Sequence, residues 1–286
     1  MLLGLMVEVF MPELPEVETI VRGLREQLLN LRFSKVEVEL KKCLKDSPKN
    51  FTSSLEDRKI LNVERRGKNI ILRLSRGAAL LIHLRMTGRL RLVPALTPPE
   101  KHTHVIFSFK NHPYQLRFVD QRQFGRLCLE TNQAGGELDA LADLGPEPFE
   151  IPAKEFVRIT RLKHRAIKPL LLDQRFLAGV GNIYADEALH QAGINPRQQA
   201  FSLEEKNLLM LYHSLKRILK KAIDAGGSSV RTYVNASGST GSFQKYLRVY
   251  GRKGKDCKTC GLSIVRDRVG GRSSFYCPCC QALRPG

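Results

Sequence analysis

The sequence predicts an α+β chain of several domains, with its strands in the first half and its helices in the second. Three observations lead to this fold class. Short apolar or alternating segments recur between about residues 30 and 130. Helical periodicity replaces them beyond a proline-rich joint at 144–150, and five of the seven cysteines lie in the last thirty residues.

A helix is predicted over residues 12–30. Pro15 suits a first helical turn, and nearby glutamates favour the positive end of the helix dipole. Apolar residues recur at helical spacing, so one face is expected to be buried. These residues are Val17, Ile20, Val21, Leu24 and Leu28.

Six strands are predicted after this helix. Their sequences are KVEVEL, KNIILRL, AALLIHL, HVIFSF, YQLRFV and GRLCLE, separated by turn-forming Gly, Pro and Asn. Short strands at regular spacing are typical of a β-sandwich or a β-barrel, and the pattern leaves both possible.

The second half is predicted to be helical. Ser202 and Glu205 have the spacing of a capping box, and an apolar stripe from Leu208 to Ala222 follows them. Two helical stretches are expected to flank the tight turn at 179–182. The Gly- and Ser-rich segment 226–242 predicts a mobile loop.

The charge of the chain indicates a polyanionic partner. Lys and Arg number 47 against 28 acidic residues, which gives a net charge of +19. Nucleic acid is the first candidate and an anionic membrane surface the second. No apolar run approaches the roughly 20 residues that span a bilayer, and residues 1–10 lack the features of a signal peptide. We therefore expect a cytoplasmic protein.

Four cysteines predict a structural zinc site. Cys257 and Cys260 form one CxxC pair, and Cys277 and Cys280 form a second pair after sixteen intervening residues. Four thiolates in two such turns suit tetrahedral zinc. Cys279 is an alternative fourth ligand, but its spacing from Cys277 fits a zinc turn less well, so Cys280 is preferred. A closed four-sulfur site performs no chemistry of its own.

Two turns are candidates for phosphate binding. A hairpin is predicted between the cysteine pairs, with its turn at Gly270–Gly271 and Arg272 beside the tip. The turn at 179–182 opens a helix, whose free N–H groups could bind an anion. Each signal is weak alone, and a solvated turn or a simple helix connection would explain it equally well.

Five motifs together resemble one family. They are Pro12-Glu-Leu-Pro-Glu-Val-Glu18, His102-x-His104-Val, Asp120-x-Arg122-x-Phe124-Gly125, Gly179-Val-Gly-Asn-Ile-Tyr-Ala185 and the paired CxxC motifs. In this order they resemble bacterial formamidopyrimidine-DNA glycosylases, base-excision enzymes for 8-oxoguanine and ring-opened purines. The resemblance covers residues 11–284. It implies an N-terminal β-sandwich domain, a helix–two-turns–helix domain, a β-hairpin zinc finger, and DNA bound in the cleft between domains.

The resemblance also implies catalytic residues. Pro12 matches the N-terminal proline that attacks the deoxyribose C1′ atom, and Glu13 matches the general acid–base at the sugar ring oxygen. Glu16 would help to position the N-terminus. Lys68 matches a lysine beside the lesion that assists the lyase step, and Arg272 matches the zinc-finger arginine of δ-elimination. Without the resemblance, Pro12 and Glu13 would be ordinary residues of a helix start.

Further residues match DNA contacts of the family. Three of them fill the space that an everted base leaves in the duplex: Met86, Arg122 and Phe124. Arg122 corresponds to the residue that recognises the orphaned cytosine, whereas Met86 and Phe124 could equally be core residues. The positions that match phosphate contacts are His102, Lys163 and Asn182.

The expected organisation follows from these assignments. The N-terminal catalytic domain should span 11–145, the helix–two-turns–helix domain 146–240, and the zinc-finger domain 241–286 with the finger at 250–284. Residues 1–10 are expected to be absent from the mature protein, because an amide at Pro12 would leave no nucleophilic amine. The partner is expected to be double-stranded DNA with oxidised purines, bound by a nucleoid-associated monomer.

Three alternative functions remain open from the sequence. One is an endonuclease VIII-like glycosylase for oxidised pyrimidines, although the PELPEVE opening and the Arg-x-Phe wedge favour the purine enzyme. Another is a catalytically silent damage-binding protein, if residues 1–10 are retained. A zinc-finger transcription regulator is disfavoured, because a single hairpin finger lacks a recognition helix.

Overall fold

The computed structural model describes residues 11–131, 138–228 and 241–283. The chain divides into two compact units. The first unit comprises Met1–Pro12, Glu16–Ala142 and Gly226–Ser242 and is called here the sandwich unit. The second comprises Glu13–Pro15, Asp143–Ala225 and Phe243–Gly286 and is called the helical unit. Most of the predicted loop at 226–242, and residues 1–10, lie outside the described residues.

The first helix confirms the sequence prediction. Helix α1 spans Leu14–Leu28. The five apolar residues of its predicted face are at most 3% exposed. Because these residues recur every three or four positions, one continuous stripe of the helix is removed from water.

Eight strands form two antiparallel sheets in the part of the sandwich unit that the structure describes. Their bounds are β1 Phe33–Val38, β2 Ile60–Arg66, β3 Asn69–Leu74, β4 Ala78–His83, β5 Gly88–Pro94, β6 Thr103–Phe109, β7 Tyr114–Asp120 and β8 Arg126–Glu130. One sheet has the order β1-β6-β7-β5, and the other has the order β2-β3-β4-β8. Because the strands form two separate sheets rather than one closed sheet, the fold is a β-sandwich and not a β-barrel.

One apolar core joins both sheets of this unit. It includes Phe33 and Phe107 from the first sheet and Ile70 and Leu80 from the second, all without exposed surface. Burial of this kind contributes roughly 25 cal/mol per Å² of apolar surface, so the core is the main source of stability for the unit.

One α-helix and two strands of the sandwich unit were absent from the sequence prediction. Helix α2 spans Pro48–Leu55, and its N-cap Ser47 accepts a hydrogen bond from the N–H of Asn50. Strands β2 and β5 carry several arginines, and β5 begins at a glycine and ends at a proline. Because of these charged residues and turn formers, neither segment shows the clear alternation of apolar and polar residues that identifies a strand.

In its described residues, the helical unit contains four α-helices and a β-hairpin. The helices are α3 Ala153–Arg161, α4 Ile167–Leu172, α5 Asn182–Gln191 and α6 Glu205–Asp224, and the hairpin strands are β9 Val265–Val269 and β10 Arg272–Tyr276. The hairpin turn lies at Gly270 and Gly271, as predicted, and both glycines have positive φ. No helix in the described ranges has the length and apolarity needed to cross a membrane.

Two predictions about this unit were wrong in detail. The capping box is not formed: α6 begins after Glu204, without a side-chain cap. The Ser202 hydroxyl instead bonds Gln198 and the carbonyl of Gln199, because Ser202 belongs to a separate 3-10 turn. The segment just before Gly179 is a turn rather than a helix, since α4 already ends at Leu172.

Candidate functional site

Glu13 is a buried carboxylate bonded to the N-terminus of α5. Its side chain is 4% exposed, and its oxygens accept hydrogen bonds from the N–H groups of Ile183 at 3.0 Å and Tyr184 at 3.5 Å. A Cβ at Gly181 would overlap the Glu13 side chain, so glycine is required there. The free N–H groups predicted at this helix start therefore bind a carboxylate of the chain itself.

Glu16 is a second buried carboxylate, in the first turn of α1. It is 3% exposed, and one of its oxygens accepts hydrogen bonds from the backbone N–H of Ser228 at 2.8 Å and the Ser228 hydroxyl at 3.0 Å. Gly227 has a φ of 83° and lies against the same side chain. Glu16 thus anchors the chain immediately before residue 229. Pro12 is buried.

Lys68 lies in the turn between β2 and β3 and is 9% exposed. The next residue, Asn69, is paired with His83 across the β3–β4 ladder. Burial, followed by the charges of Arg85 and Lys68, lowers the pKa of His83 to about 3. His83 was not among the predicted site residues, because its place beside Lys68 depends on the register of two strands.

The three predicted wedge residues lie on two connections of the sandwich unit. Met86 is half-buried between β4 and β5, whereas Arg122 and Phe124 lie in the connection after β7, named here the Arg122 loop (residues 121–125). Phe124 is 46% exposed, which excludes the core alternative for this residue. The guanidinium carbon of Arg122 lies 4.9 Å from the centre of the Phe124 ring, a cation–π contact.

The three predicted phosphate contacts occupy different local settings. His102 precedes β6, is half-buried and has a φ of 69°. Lys163 is exposed just beyond α3. Asn182 is the first residue of α5, and its Oδ1 atom is buried without a hydrogen bond from the described residues. His102 belongs to the sandwich unit, and the other two belong to the helical unit.

Four cysteines form a cluster that fits zinc. The sulfurs of Cys257, Cys260, Cys277 and Cys280 all lie within 4.8 Å of one another. The Cys257–Cys280 and Cys260–Cys277 sulfur distances are 3.9 and 3.3 Å. A tetrahedral site with zinc–sulfur bonds of about 2.3 Å requires sulfurs about 3.8 Å apart. Cys279 is exposed and outside the cluster, so the choice of Cys280 is confirmed.

Polar side chains attach this cluster to the end of α5. The His190 Nε2 atom lies 3.6 Å from the sulfur of Cys257. The buried Gln281 side chain accepts a hydrogen bond from the Cys277 N–H and donates one to the Ile194 carbonyl. Such contacts orient the ligands, as metal sites commonly require.

A buried ion pair attaches the hairpin to the helices. Lys168 in α4 and Asp186 in α5 are 0% and 1% exposed, and their charged atoms lie 2.6 Å apart. The Lys168 ammonium also donates hydrogen bonds to the Ser273 carbonyl and the Ser274 hydroxyl. Asp186 accepts a hydrogen bond from the N–H of Phe275. Burial raises the pKa of Asp186 to about 7, an effect that the Lys168 charge opposes.

The hydrogen bonds of Lys168 and Asp186 hold the hairpin strand that begins with Arg272. Arg272 is exposed and begins β10, directly before the strand residues that Lys168 and Asp186 bind. Neither Lys168 nor Asp186 was assigned a role from the sequence. No local pattern pairs these residues with a strand 89 to 106 positions away in the chain.

Comparisons with known proteins agree with this arrangement. The formamidopyrimidine-DNA glycosylase N-terminal domain matches residues 11–127, and the H2TH domain of the same glycosylases matches 144–234. A formamidopyrimidine-DNA glycosylase from Pelotomaculum thermopropionicum is 47% identical over 96% of this chain and 100% of its own. The chain belongs to the formamidopyrimidine-DNA glycosylase family.

Solved structures of formamidopyrimidine-DNA glycosylases share the fold. A complex of the Lactococcus lactis enzyme, variant G226P, with DNA containing Fapy-dG has a TM-score of 0.89 and 37% identity, and it covers 95% of this chain and 100% of its own. A complex of the same bacterial enzyme with abasic-site DNA also has a TM-score of 0.89 and 37% identity, with 94% and 99% coverage. The predicted fold class is confirmed.

The zinc finger of this glycosylase family member is also confirmed. The family described as the zinc finger found in FPG and IleRS matches residues 254–283, which include all four clustered cysteines. One structural zinc ion belongs in this site. It would link the two CxxC turns at the base of the hairpin and take no part in the reaction.

Proposed function

We propose that this chain excises oxidised purines from double-stranded DNA and then cleaves the strand, with the amine of Pro12 as nucleophile. DNA glycosylase activity follows from membership of the family. The proposed substrates are 8-oxoguanine and formamidopyrimidines. Fapy-dG-containing DNA in the complex of the Lactococcus lactis relative supports the second class.

An N-terminal proline is chemically suited to this reaction. An α-amine has a pKa near 7.7–8, against about 10.4 for lysine, so a larger fraction is unprotonated at neutral pH. Its attack on C1′ forms a C–N bond while the glycosidic bond breaks and the base leaves with a proton. The C1′–O4′ bond of the sugar then breaks, with a proton delivered to O4′, and the nitrogen lone pair forms a C=N bond to C1′. Because the amine is secondary, the product is an iminium ion with a fixed positive charge. This charge acidifies C2′ and promotes β-elimination of the 3′ phosphate.

The buried position of Glu13 is the observation that carries the proposal. This carboxylate follows Pro12 directly in the chain and is fixed by two N–H groups of α5. A fixed carboxylate beside the nucleophile can accept a proton from the attacking amine and return it to the sugar ring oxygen.

The remaining residues are assigned supporting roles. Glu16 positions the first turn of α1, Lys68 contacts the phosphate beside the lesion, and Arg272 assists δ-elimination. Met86, Arg122 and Phe124 fill the space of the everted base. The proposed phosphate contacts are His102, Lys163 and Asn182.

The organisation of the working protein forms part of the proposal. The catalytic domain spans 11–145, the helix–two-turns–helix domain 146–240 and the zinc-finger domain 241–286, in a monomer. The reaction requires a free amine on Pro12, so the active form begins at this residue. Removal of an initiating Met11 would produce it.

Two forms of the protein test this mechanism, one expressed from Met1 and one from Met11. The form from Met11 should release 8-oxoguanine and give a covalent adduct with DNA under borohydride reduction. The form from Met1 should give no adduct, because an amide nitrogen is not a nucleophile. Substitution of Pro15 by Ala in the Met11 form is the matched control, since it removes a proline but leaves the amine.

Intact mass must be measured on each sample, because cleavage after Phe10 would regenerate the free proline. A retained leader together with full lyase activity would contradict the role of Pro12, and Lys68 would become the next candidate. DNA with an oxidised pyrimidine should be tested in parallel, because preferential release of that base would favour the endonuclease VIII-like alternative.

A further inference from the structure

Asp120 is a buried carboxylate at the end of β7, immediately before the Arg122 loop. It is 1% exposed. Its Oδ1 atom accepts hydrogen bonds from the Thr87 hydroxyl and, at 3.2 Å, from the N–H of Arg122. Its Oδ2 atom accepts a hydrogen bond from the N–H of Gly125 at 2.7 Å. One carboxylate therefore binds both ends of the loop.

Thr87 completes this connection from the neighbouring strand turn. Its hydroxyl donates to Asp120 and accepts a hydrogen bond from the Arg122 N–H at 3.0 Å. Thr87 directly follows Met86, the third proposed wedge residue. The hydroxyl thus joins the two connections that carry the wedge.

The backbone of Asp120 is fixed as well. Its N–H donates to the carbonyl of His102 at 3.0 Å, and its carbonyl lies 2.8 Å from the Nε2 atom of His104. Both histidines lie at the start of β6. Because its backbone is held in this way, the Asp120 carboxylate has a fixed position and can orient the loop that it binds.

The Arg122 loop has an unusual backbone conformation, which has to be stabilised by contacts with the rest of the unit. Gln123 has a φ of 59°, a region that residues other than glycine seldom adopt. A Cβ at Gly125 would overlap the Phe118 ring and approach Asp120. The side chains of Arg122 and Phe124 are exposed and contact each other. The Arg126 guanidinium donates hydrogen bonds to the carbonyls of Gln123, Phe124 and Gly125, whereas the N–H groups of Arg122 and Gly125 are bound by Asp120 and Thr87. Asp120 and Thr87 therefore restrain the two N–H groups that lie on either side of the exposed Arg122–Phe124 segment.

We infer that Asp120 and Thr87 are positioning residues, which hold the Arg122–Phe124 pair in its DNA-binding conformation before DNA arrives and so determine how strongly the base opposite the lesion is recognised. The inference rests on the proposed wedge role of Arg122. Preorganisation increases affinity because the loop loses little further conformational freedom on binding. The effect should be greatest for the contact that requires the most accurate placement, which is the hydrogen bonding of Arg122 to the orphaned base.

Thr87→Val and Thr87→Ser form a matched pair for the test. Valine keeps the shape but removes the hydroxyl, and serine keeps the hydroxyl. Each variant is titrated with duplexes that carry a stable abasic analogue opposite either cytosine or adenine. We expect Thr87→Val to reduce the preference for cytosine by about threefold to tenfold, as loss of one hydrogen bond of ordinary net strength predicts, and Thr87→Ser to retain it.

Asp120→Asn provides a second, stronger variant. Its amide can accept at only one atom, so it must direct an NH2 group at the N–H of either Arg122 or Gly125. The preference for cytosine should fall by roughly tenfold or more. Thermal unfolding and borohydride trapping on single-stranded abasic DNA are measured on the same samples, because a positioning role leaves the fold and the Pro12 chemistry in place.

The outcomes separate this inference from the proposed function. An unchanged cytosine preference in folded Thr87→Val and Asp120→Asn would overturn the inference, as would equal losses opposite both bases, which indicate general destabilisation. Absence of any cytosine preference in the unmodified protein would also overturn it. If the unmodified protein prefers cytosine but neither releases base nor forms an adduct, the proposed function fails while the positioning role can still be confirmed by the variants.

Discussion

The two units differ in what fixes their functional residues. The sandwich unit has a continuous apolar core shared by both sheets, and its wedge residues extend from connections at the edge of that core. The bonds of Asp120 and Thr87 orient the Arg122 loop locally, but the strands that carry the loop are held by apolar packing. The hairpin of the helical unit is instead attached by buried polar groups, chiefly the Lys168–Asp186 pair and the four-cysteine cluster. An apolar core tolerates small shifts, whereas an ion pair and a metal site specify positions more strictly.

Glu187 adds to this polar attachment. Its carboxylate, 4% exposed, accepts hydrogen bonds from the N–H groups of Arg248, Val249 and Tyr250. Three consecutive donors on one carboxylate fix the chain just before the first CxxC pair. Directional bonds therefore position the zinc finger of the helical unit. Its attachment should be more sensitive to loss of a single partner than the apolar core of the sandwich unit.

Zinc removal should produce the largest difference between the units. A chelator, or the substitution Cys257→Ser, removes the restraint between the CxxC turns, so the segment 262–276 should lose order and DNA affinity should fall by more than about a hundredfold. Amide exchange should remain slow in β3 and β4, which belong to the other unit. Cys279→Ser is the matched control and should retain zinc.

Elemental analysis and DNA titration are carried out on the same preparations. Normal DNA affinity in a zinc-free sample would show that the finger does not contribute to binding. Faster exchange throughout the sandwich strands would show instead that the metal supports the whole chain.

Breaking the buried ion pair should have the next largest effect. Lys168→Met leaves the Asp186 carboxylate uncompensated, and such losses cost about 3–5 kcal/mol in the free energy of unfolding. The double variant Lys168→Met, Asp186→Leu should recover part of this loss, because no buried charge remains. Lys35→Met removes the exposed pair with Glu37 in the sandwich unit and should cost at most about 1 kcal/mol.

Denaturant unfolding of the four proteins measures this comparison. Equal losses for Lys168→Met and Lys35→Met would mean that burial does not distinguish the two pairs. A double variant as unstable as the single one would assign the effect to the lost bonds with Ser273 and Ser274 rather than to the uncompensated charge.

The features that could be predicted from the sequence are those that depend on local patterns. Helix α1 and the apolar strands β3 and β4 were identified because hydrophobic spacing is a local property. The cysteine pairs identified the metal site for the same reason. The failure at Ser202 has a local cause too: several residues can cap a helix, and the serine instead bonds its own 3-10 turn.

The long-range polar contacts could not be predicted. Asp120 was visible as the first residue of the Asp-x-Arg-x-Phe-Gly motif, but its bonds to Thr87 depend on the pairing of β5 with β7. Asp186 and Glu187 resemble ordinary charged residues of a helix, and only the folded chain brings the segments of the finger to them. Sequence patterns specify which elements form, whereas these contacts depend on how distant elements meet.

The smallest expected effect in the comparison of the two units concerns a single side chain of the sandwich unit, His83. Burial is the main cause of its lowered pKa of about 3, and the charges of Arg85 and Lys68 add to it. The ring is therefore neutral near pH 7, with Nδ1 accepting the N–H of Arg85 at 3.1 Å. The unfolded chain takes up a proton near pH 6.5, so the stability due to neutral His83 is present above that pH. It is lost progressively as the pH falls towards 3.

An NMR titration of the His83 ring measures this directly. We expect no protonation of the ring between pH 7 and pH 5. Arg85→Ala should raise the pKa of His83, though not to 6.5, because burial remains the larger cause. Arg76→Ala, which removes an exposed arginine of the same unit, is the control and should leave the titration unchanged. A His83 ring that titrates near pH 6.5 would mean that water reaches it freely. The turn that carries Lys68 would then lie beside an open surface, unlike the closed polar contacts that fix the hairpin of the helical unit.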